Sequence, residues 1–364
     1  MKTILIYLPN LNCGGAESVT VRLANFLAEN GYSVKVVTAL SGGALFELLD
    51  DRIDYLCLNL KTQWMALIKL PFVIRKFNPN VIFTTMKESN FILTLSRFFS
   101  CSNSRLIIRE ANTVSVQIKE ERKLTQKIKN FIIGRSYHFA DEIIALSEEI
   151  KTDLIKSFKI SNNITVIPNP INFELLRRRS LCYLPDFLVD KSSTRLKIVT
   201  VARFYPQKNH LFLLSALSEY IKSYGPIELY LVGDGPQKKA IEEMADFLGI
   251  LDSVIFMGFQ KNPLPIVKCC DIFILPSLYE GFSNALLEAA ALNKKILVSD
   301  SQSTSVSFLK KISSGMSYKN NDIDDFCMKL HRLSIDNIEL KTDENMSEYE
   351  ESIVFSSYLK VMCE

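Results

Sequence analysis

Residues 279–289 have the sequence YEGFSNALLEA, and this stretch decides the fold. The apolar run 271–275 before it has the length of a strand, and a helical, mostly apolar pattern begins near Ser283. We therefore predict a strand, a short loop carrying Glu280, and a helix with Glu288 about a turn and a half inside it. The free N–H groups of such a helix suit a phosphate, and ionised carboxylates accept from hydroxyl groups. A loop-capping Glu280 beside a solvated Glu288 is the structural alternative.

Short apolar runs alternate with helix-length segments along the whole chain. Repeated strand–helix units predict an α/β fold with parallel sheets covered on both faces. The alternation stops over 172–195, which we interpret as a linker, and then restarts. We predict an N-terminal domain at 1–180, a C-terminal domain at 190–345 and a final helix at 346–364. The candidate strands are 3–8, 34–39, 53–58, 81–84, 105–109, 142–146, 164–167, 196–202, 227–232, 253–257, 271–275 and 295–298.

Six segments in this order resemble the retaining glycosyltransferases of family 4, which have the GT-B fold. They are GGAE at 14–17, VIPNP at 166–170, VARFYPQKNH at 201–210, LVGDGP at 231–236, FMGF at 256–259 and the opening stretch. The resemblance implies two Rossmann-like domains facing across a cleft. The first would face the acceptor and the membrane, the second would bind a nucleotide-sugar, and the final helix would cross back to the first.

Two basic residues after the strand at 196–202 carry the predicted chemistry. Arg203 and Lys208 have the spacing of the family's Arg-x4-Lys pair. A forked guanidinium and a compact ammonium suit a diphosphate leaving group, whose charge grows in the transition state. A solvated basic loop is the alternative interpretation. With Glu280, these two residues are our candidate catalytic groups.

The resemblance also implies a set of substrate contacts. Glu288 would bind the ribose hydroxyls, and Glu280 the donor sugar or its phosphate surroundings. The glycines after the first strand would let the backbone approach the donor phosphate closely. The substrate-binding candidates are Gly14, Gly15, Glu110, Asn112, Gly233, Phe259, Phe282, Ser283, Asn284 and Glu288.

Two positions depart from the family pattern. Ala111 stands near where many relatives have a histidine, which leaves Glu110 and Asn112 as the nearby polar groups. Ser307 stands about where relatives have a glutamate. An alternative function is therefore a catalytically impaired nucleotide-sugar-binding partner of a polysaccharide synthesis complex.

The charge of the chain is unevenly distributed. Residues 1–180 hold 24 basic and 16 acidic side chains, and segment 61–135 alone holds 14 and 4. Apolar residues are interleaved with the basic ones in that segment, a pattern typical of contact with an anionic membrane surface. Core packing of the same apolar residues explains the pattern equally well. The apolar members are Trp64, Met65, Leu67, Ile68, Leu70, Phe72, Phe98 and Phe99.

Several classes are disfavoured by what the sequence lacks. A basic surface would also suit nucleic acid, but no recognition motif accompanies it. No run approaches the length of a transmembrane helix, and the N-terminus resembles a first strand more than a signal peptide. The eight cysteines form no Cys-x-x-Cys pair, which suggests free thiols in a reducing cytosol.

These observations predict a metal-independent glycosyltransferase without a cofactor. The absence of an Asp-x-Asp at a strand end predicts no metal, and Gly233-Asp234-Gly235 lacks the third glycine of a dinucleotide fingerprint. We expect a UDP-sugar donor and a lipid-linked oligosaccharide acceptor, in synthesis of O-antigen or capsule at the inner face of the plasma membrane. A GT-B epimerase or phosphorylase is a rival without its own signature here.

Overall fold

The computed structural model describes residues 2–12, 14–113, 115, 124–160, 163–182, 195–336 and 345–363. The chain divides into two compact units, the first formed by Met1–Pro170 with Glu351–Glu364 and the second by Ile171–Glu350. Among the described residues, no helix is long and apolar enough to cross a membrane.

The first unit is built on a seven-stranded parallel sheet with the order β3-β2-β1-β4-β5-β6-β7. Its strands are β1 (Thr3–Leu8), β2 (Ser33–Thr38), β3 (Asp54–Cys57), β4 (Val81–Thr85), β5 (Arg105–Glu110), β6 (Glu142–Ala145) and β7 (Ile164–Val166). Its helices are α1 (Gly15–Glu29), α2 (Ala66–Phe77), α3 (Lys87–Ser100), α4 (Leu124–Ser136) and α5 (Glu148–Phe158), with 3-10 turns at Ala44–Leu48, Gln63–Met65 and Tyr137–Phe139.

The second unit is built on a six-stranded parallel sheet with the order β10-β9-β8-β11-β12-β13. Its strands are β8 (Leu196–Val201), β9 (Ile227–Val232), β10 (Val254–Gly258), β11 (Ile272–Leu275), β12 (Lys295–Ser299) and β13 (Gly315–Tyr318). Its helices are α6 (Phe173–Ser180), α7 (His210–Tyr224), α8 (Lys238–Phe247), α9 (Leu264–Cys269), α10 (Asn284–Ala291), α11 (Ser303–Ile312) and α12 (Ile323–Ile335), with 3-10 turns at Pro206–Lys208, Leu251–Ser253 and Ser347–Tyr349.

The two sheets confirm the predicted α/β class with parallel strands. Nearly continuous apolar strands are buried on both faces, as in Ile272–Leu275, because helices cover each side of a parallel sheet. The strand Gly315–Tyr318 was missed by the sequence analysis. Among the strands that the structure describes, it pairs with β12 alone, and its short sequence GMSY has no apolar run.

Helix α13 (Glu351–Cys363) belongs to the first unit although it follows the second in the chain. Its buried face contributes Phe355 and Tyr358 to the core that also holds β1 and α1. Phe355 packs on Phe26 with 5.4 Å between ring centroids, and Glu351 forms a 2.9 Å ion pair with Arg22. Packing and an ion pair thus attach this helix to α1.

The predicted linker 172–195 is only partly described, since 183–194 lie outside the described residues, as do 116–123 of the basic segment. Helix Phe173–Ser180, which we expected in the first domain, is part of the second unit. Arg179 donates to the carbonyl of Lys261 at 2.9 Å, and Asn262 donates to the carbonyl of Arg179 at 2.9 Å. These bonds fix the helix to the second unit.

Candidate functional site

The second unit has a topological switch point between β8 and β11. These strands are neighbours, but the chain continues from β8 toward β9 on one side and from β11 toward β12 on the other. The loops at the carboxyl ends of such strands diverge and leave a crevice where ligands bind in open α/β sheets. Loops 202–209 and 276–283 border this crevice, and together they carry the predicted catalytic residues.

The loop after β8 presents its two cations in different ways. Phe204 is buried and anchors the loop, and its N–H donates to the carbonyl of Asp234 at 2.8 Å. Arg203 is exposed, with its guanidinium carbon 5.3 Å from the ring centre of Tyr205. Lys208 ends the 3-10 turn Pro206–Lys208 and is mostly buried. The loop therefore carries one open guanidinium and one sheltered ammonium.

An ion pair joins the two loops across the switch point. The ammonium of Lys208 donates to Oε1 of Glu280, and Ser277 Oγ donates to the same oxygen at 2.9 Å. The amide of Gln207 donates to the carbonyl of Tyr279 at 2.7 Å. The sequence analysis named Lys208 and Glu280 as candidate catalytic groups without predicting a contact between them, and the structure brings their side chains together.

Helix α10 begins where the sequence predicts. Ser283 is its N-cap, and its hydroxyl accepts from the N–H of Leu286 at 3.4 Å. Glu288 is half-buried in the second turn of the helix. The side chain of Phe282 is buried against Phe308, with 5.3 Å between ring centroids, so only its backbone remains for a ligand. The helix opening thus offers backbone N–H groups at the edge of the crevice.

Gly233 lets two loops pack closely. Its φ is +148°, and a Cβ added to it would lie 1.9 Å from the carbonyl oxygen of Ala202. Its N–H donates to the carbonyl of Gly258 at 2.9 Å. Only glycine tolerates this approach. Phe259 follows directly and is exposed at the same edge of the sheet.

His210 is a buried group next to the loop after β8. It opens helix α7 and packs edge-on to Phe204, with 5.0 Å between ring centroids. Neither ring nitrogen has a hydrogen-bond partner among the described residues. Burial, with a smaller contribution from the charge of Lys208, lowers the pKa of His210 to about 4. The ring is therefore neutral at physiological pH and supports the loop as an apolar group.

The glycines predicted to contact phosphate lie at the start of α1 in the first unit. Gly14 is the N-cap and Gly15 the first helical residue. Glu17 falls in the first turn, and its carboxylate folds over Gly14, where a Cβ would lie 2.1 Å from Oε2. A side chain at Gly14 would therefore displace Glu17.

Glu110 is buried at the carboxyl end of β5. Its Oε1 accepts from the N–H groups of Ala111 and Asn112 at 3.1 Å, and Oε2 accepts from Tyr137 at 2.5 Å. Burial raises the pKa of Glu110, and the hydrogen bond from Tyr137 opposes that rise. Tyr137 also accepts from Asn90 at 3.0 Å. Both carboxylate oxygens thus accept hydrogen bonds from protein donors, and these bonds shape the turn around Asn112. That Glu110 contacts the substrate stays a prediction.

The two departures from the family pattern have different surroundings. Ala111 is half-buried beside Glu110, whereas Ser307 is exposed on α11. Tyr137 and Asn90 were missed by the sequence analysis because their link to Glu110 is formed by packing between distant segments.

The fold and the site define a class. The structure has two parallel α/β units. The cations, helix opening and carboxylates around the switch point of the second unit form an arrangement that suits a phosphorylated ligand.

Comparisons with known proteins are consistent with this class. The family model described as Glycosyltransferase Family 4 matches residues 13–175, and that described as Glycosyl transferases group 1 matches residues 188–352. Each covers just under half of the chain, and together they cover most of it.

Two curated relatives have names that specify acceptors linked to diphospho-undecaprenol. The N-acetylgalactosamine-N,N'-diacetylbacillosaminyl-diphospho-undecaprenol 4-alpha-N-acetylgalactosaminyltransferase of Campylobacter jejuni is 26% identical over 83% of this chain and 82% of its own. The UDP-Gal:alpha-D-GlcNAc-diphosphoundecaprenol alpha-1,3-galactosyltransferase of Escherichia coli is 22% identical over 89% of this chain and 86% of its own.

Among solved structures, the apo form of a lipopolysaccharide outer core galactosyltransferase superposes with a TM-score of 0.75 at 20% identity, covering 100% of this chain and 99% of that one. The likeness establishes the fold. The chain belongs to the glycosyltransferases of the family 4 type, with the GT-B fold.

Proposed function

We propose that the protein transfers a sugar from a UDP-sugar to a lipid-linked oligosaccharide, with retention of the anomeric configuration, during synthesis of a bacterial surface polysaccharide. The observation that carries this proposal is the bridged crevice of the second unit, where Lys208 and Glu280 meet beside the opening of α10. The acceptor class is supported by the diphospho-undecaprenol-linked acceptors in the names of the two curated relatives.

In this proposal the donor's diphosphate lies between Arg203, Lys208 and the first N–H groups of α10. These groups stabilise negative charge that increases as the bond from the anomeric carbon to the phosphate oxygen breaks. Glu288 accepts from the ribose hydroxyls. Glu280 orients Lys208 and accepts from a hydroxyl of the sugar.

For retention, the acceptor hydroxyl attacks the anomeric carbon from the face that the UDP leaves. The new bond joins the acceptor oxygen to that carbon, and the hydroxyl proton passes to an oxygen of the departing phosphate. This step requires no protein base, which agrees with the full occupation of Glu110 by protein donors.

We further propose that the first unit binds the inner face of the plasma membrane. Helix α3 buries Ile92 and Leu93 together with small polar side chains, but it exposes Phe98, which is 77% accessible. Phe72 of α2 is 73% accessible. Such exposed aromatic rings are additional to the apolar stripe that an ordinary surface helix turns toward the core.

The exposed apolar surface includes a groove of about 500 Å³ beside the C-terminal end of α3, lined by Leu95, Phe98 and Phe139. Of the interleaved residues in the basic segment, Leu70 is buried, whereas Met65, Ile68, Phe72, Phe98 and Phe99 are exposed. An apolar face within a basic segment matches an anionic bilayer surface.

The test compares UDP and uridine binding by calorimetry in Arg203→Ala and Lys208→Ala. Loss of a charged partner of a partly desolvated phosphate costs about 2–5 kcal/mol of binding free energy. The binding of UDP should therefore weaken far more than the binding of uridine. Lys239→Ala, at an exposed position of α8, is the control and should bind UDP normally. Equal losses for UDP and uridine would show that these side chains do not meet the phosphates.

Turnover is tested separately, by screening UDP-, GDP- and ADP-sugars for hydrolysis and thermal stabilisation together. Stabilisation by a UDP-sugar with hydrolysis supports the transferase. Stabilisation without hydrolysis or transfer identifies the impaired binding partner instead.

A further inference from the structure

The first unit has its own switch point, between β1 and β4. These strands are neighbours, with Ile4 opposite Val81, but the chain leaves β1 toward β2 and leaves β4 toward β5 on the opposite side. The loops after β1 and β4 therefore diverge at the carboxyl edge of the sheet and leave a crevice. Gly14 ends one loop, and Met86 forms the other.

Lys87 is an unusual first residue for helix α3. Only 9% of it is accessible, and its ammonium has no hydrogen bond or ion pair with any described residue. A cation at a helix N-terminus opposes the helix dipole, so Lys87 does not stabilise the opening of α3. Glu110 lies at the end of the neighbouring strand. Burial raises the pKa of its carboxyl group, and the charge of Lys87 lowers that pKa by a smaller amount.

The opening of α3 also lacks a side-chain cap. Met86 is the N-cap residue with φ of +77°, and its side chain makes no capping hydrogen bond to the helix. The first N–H groups of this 14-residue helix therefore have no intrahelical partner. Lys87 and these N–H groups are separate donors at the same end of α3.

Two neighbouring carboxylates are engaged by protein donors, and the carboxylate of Glu17 lies over Gly14 at the other loop. Both oxygens of Glu110 accept from protein donors, and Glu88 forms a 3.1 Å ion pair with Lys129. The positive end of the helix and the ammonium of Lys87 are thus the groups of this crevice that an anion would satisfy.

We propose that this crevice is a second phosphate site, in which Lys87 and the opening of α3 bind a phosphate group carried by the acceptor. The assignment to the acceptor rests on the proposed function, which places the donor's phosphates at Arg203 and Lys208 in the other unit. A diphosphate-linked acceptor supplies such a group beside its sugars.

The experiment uses the full chain saturated with UDP, so that the donor site is filled, and titrates inorganic pyrophosphate by calorimetry. Pyrophosphate should bind, and Lys87→Met should weaken it about 10- to 100-fold, as expected for a lost charged hydrogen bond. Lys87→Arg keeps the charge and should retain most of the affinity. Lys76→Met, in the last turn of α2 at the opposite edge of the sheet, should bind pyrophosphate as the unmodified protein does.

Equal pyrophosphate binding by Lys87→Met and the unmodified protein, with both folded by circular dichroism, would overturn the proposal. A loss of UDP affinity in Lys87→Met, without a pyrophosphate event in UDP-saturated protein, would assign the phosphate to the donor and also overturn it. Failure of UDP to bind the unmodified protein would instead contradict the proposed function. In that case pyrophosphate binding is measured without UDP in the unmodified protein and in Lys87→Met. Weaker binding in the variant supports the second site, and equal binding overturns it.

Discussion

Acidification should destabilise the second unit through the buried imidazole of His210. The pKa of this ring is about 4 in the folded protein, against an ordinary value of 6.5. The unfolded chain therefore takes up a proton more readily than the folded one, so stability is fully present above pH 6.5 and is lost as the pH falls toward 4. With these two pKa values, the linkage relation predicts that the free energy of unfolding falls by about 2 kcal/mol between pH 7.5 and pH 5.

The measurement is urea unfolding followed by circular dichroism at pH 7.5 and pH 5, on the unmodified chain and on His210→Leu. The variant removes the proton-binding ring but keeps an apolar side chain against Phe204. Groups elsewhere titrate in both proteins, so their contributions cancel in the comparison. The variant should therefore lose about 2 kcal/mol less on acidification. An identical pH dependence in the two proteins would refute the reasoning, because the buried ring would then not be responsible.

Two further predictions concern packing and the membrane. Gly233→Ala adds a Cβ 1.9 Å from the carbonyl oxygen of Ala202. This substitution should therefore lower the free energy of unfolding more than Gly249→Ala, where φ is also positive but the added Cβ meets no neighbouring atom within 4 Å. The control should lose about 1–2 kcal/mol in urea unfolding, and an equal loss in both variants would exclude the clash as the cause. Phe98→Ser should weaken flotation with phosphatidylglycerol vesicles by about 1.5–3 kcal/mol, whereas Phe247→Ser, which removes an 83% accessible ring from the second unit, should not. No flotation at low salt would contradict the membrane proposal and leave the transferase proposal intact.

The parts of the fold that depend on local pattern were predictable from the sequence. Apolar runs bounded by loop residues placed the central strands, and Ser283 marked the start of α10 because capping is a local interaction. The strand Gly315–Tyr318 was not predictable in this way, since it forms only by pairing with the edge of β12.

The candidate site was predictable to the same extent. Arg203, Lys208 and Glu280 carry a spacing that can be recognised in the sequence. Nothing in the sequence indicates that Lys87 is buried or that Tyr137 donates to Glu110, because these follow from how α3 and the turn at Tyr137–Phe139 pack on the sheet.

The position of α13 has a consequence for biosynthesis. The ribosome completes the whole second unit before it makes Glu351–Cys363, yet Val354, Phe355 and Tyr358 belong to the core of the first unit. The first unit therefore emerges early but waits with an unfilled apolar surface while about 180 further residues are synthesised. At about 5–20 residues per second this interval is on the order of ten to forty seconds, long enough for a chaperone to bind the nascent chain.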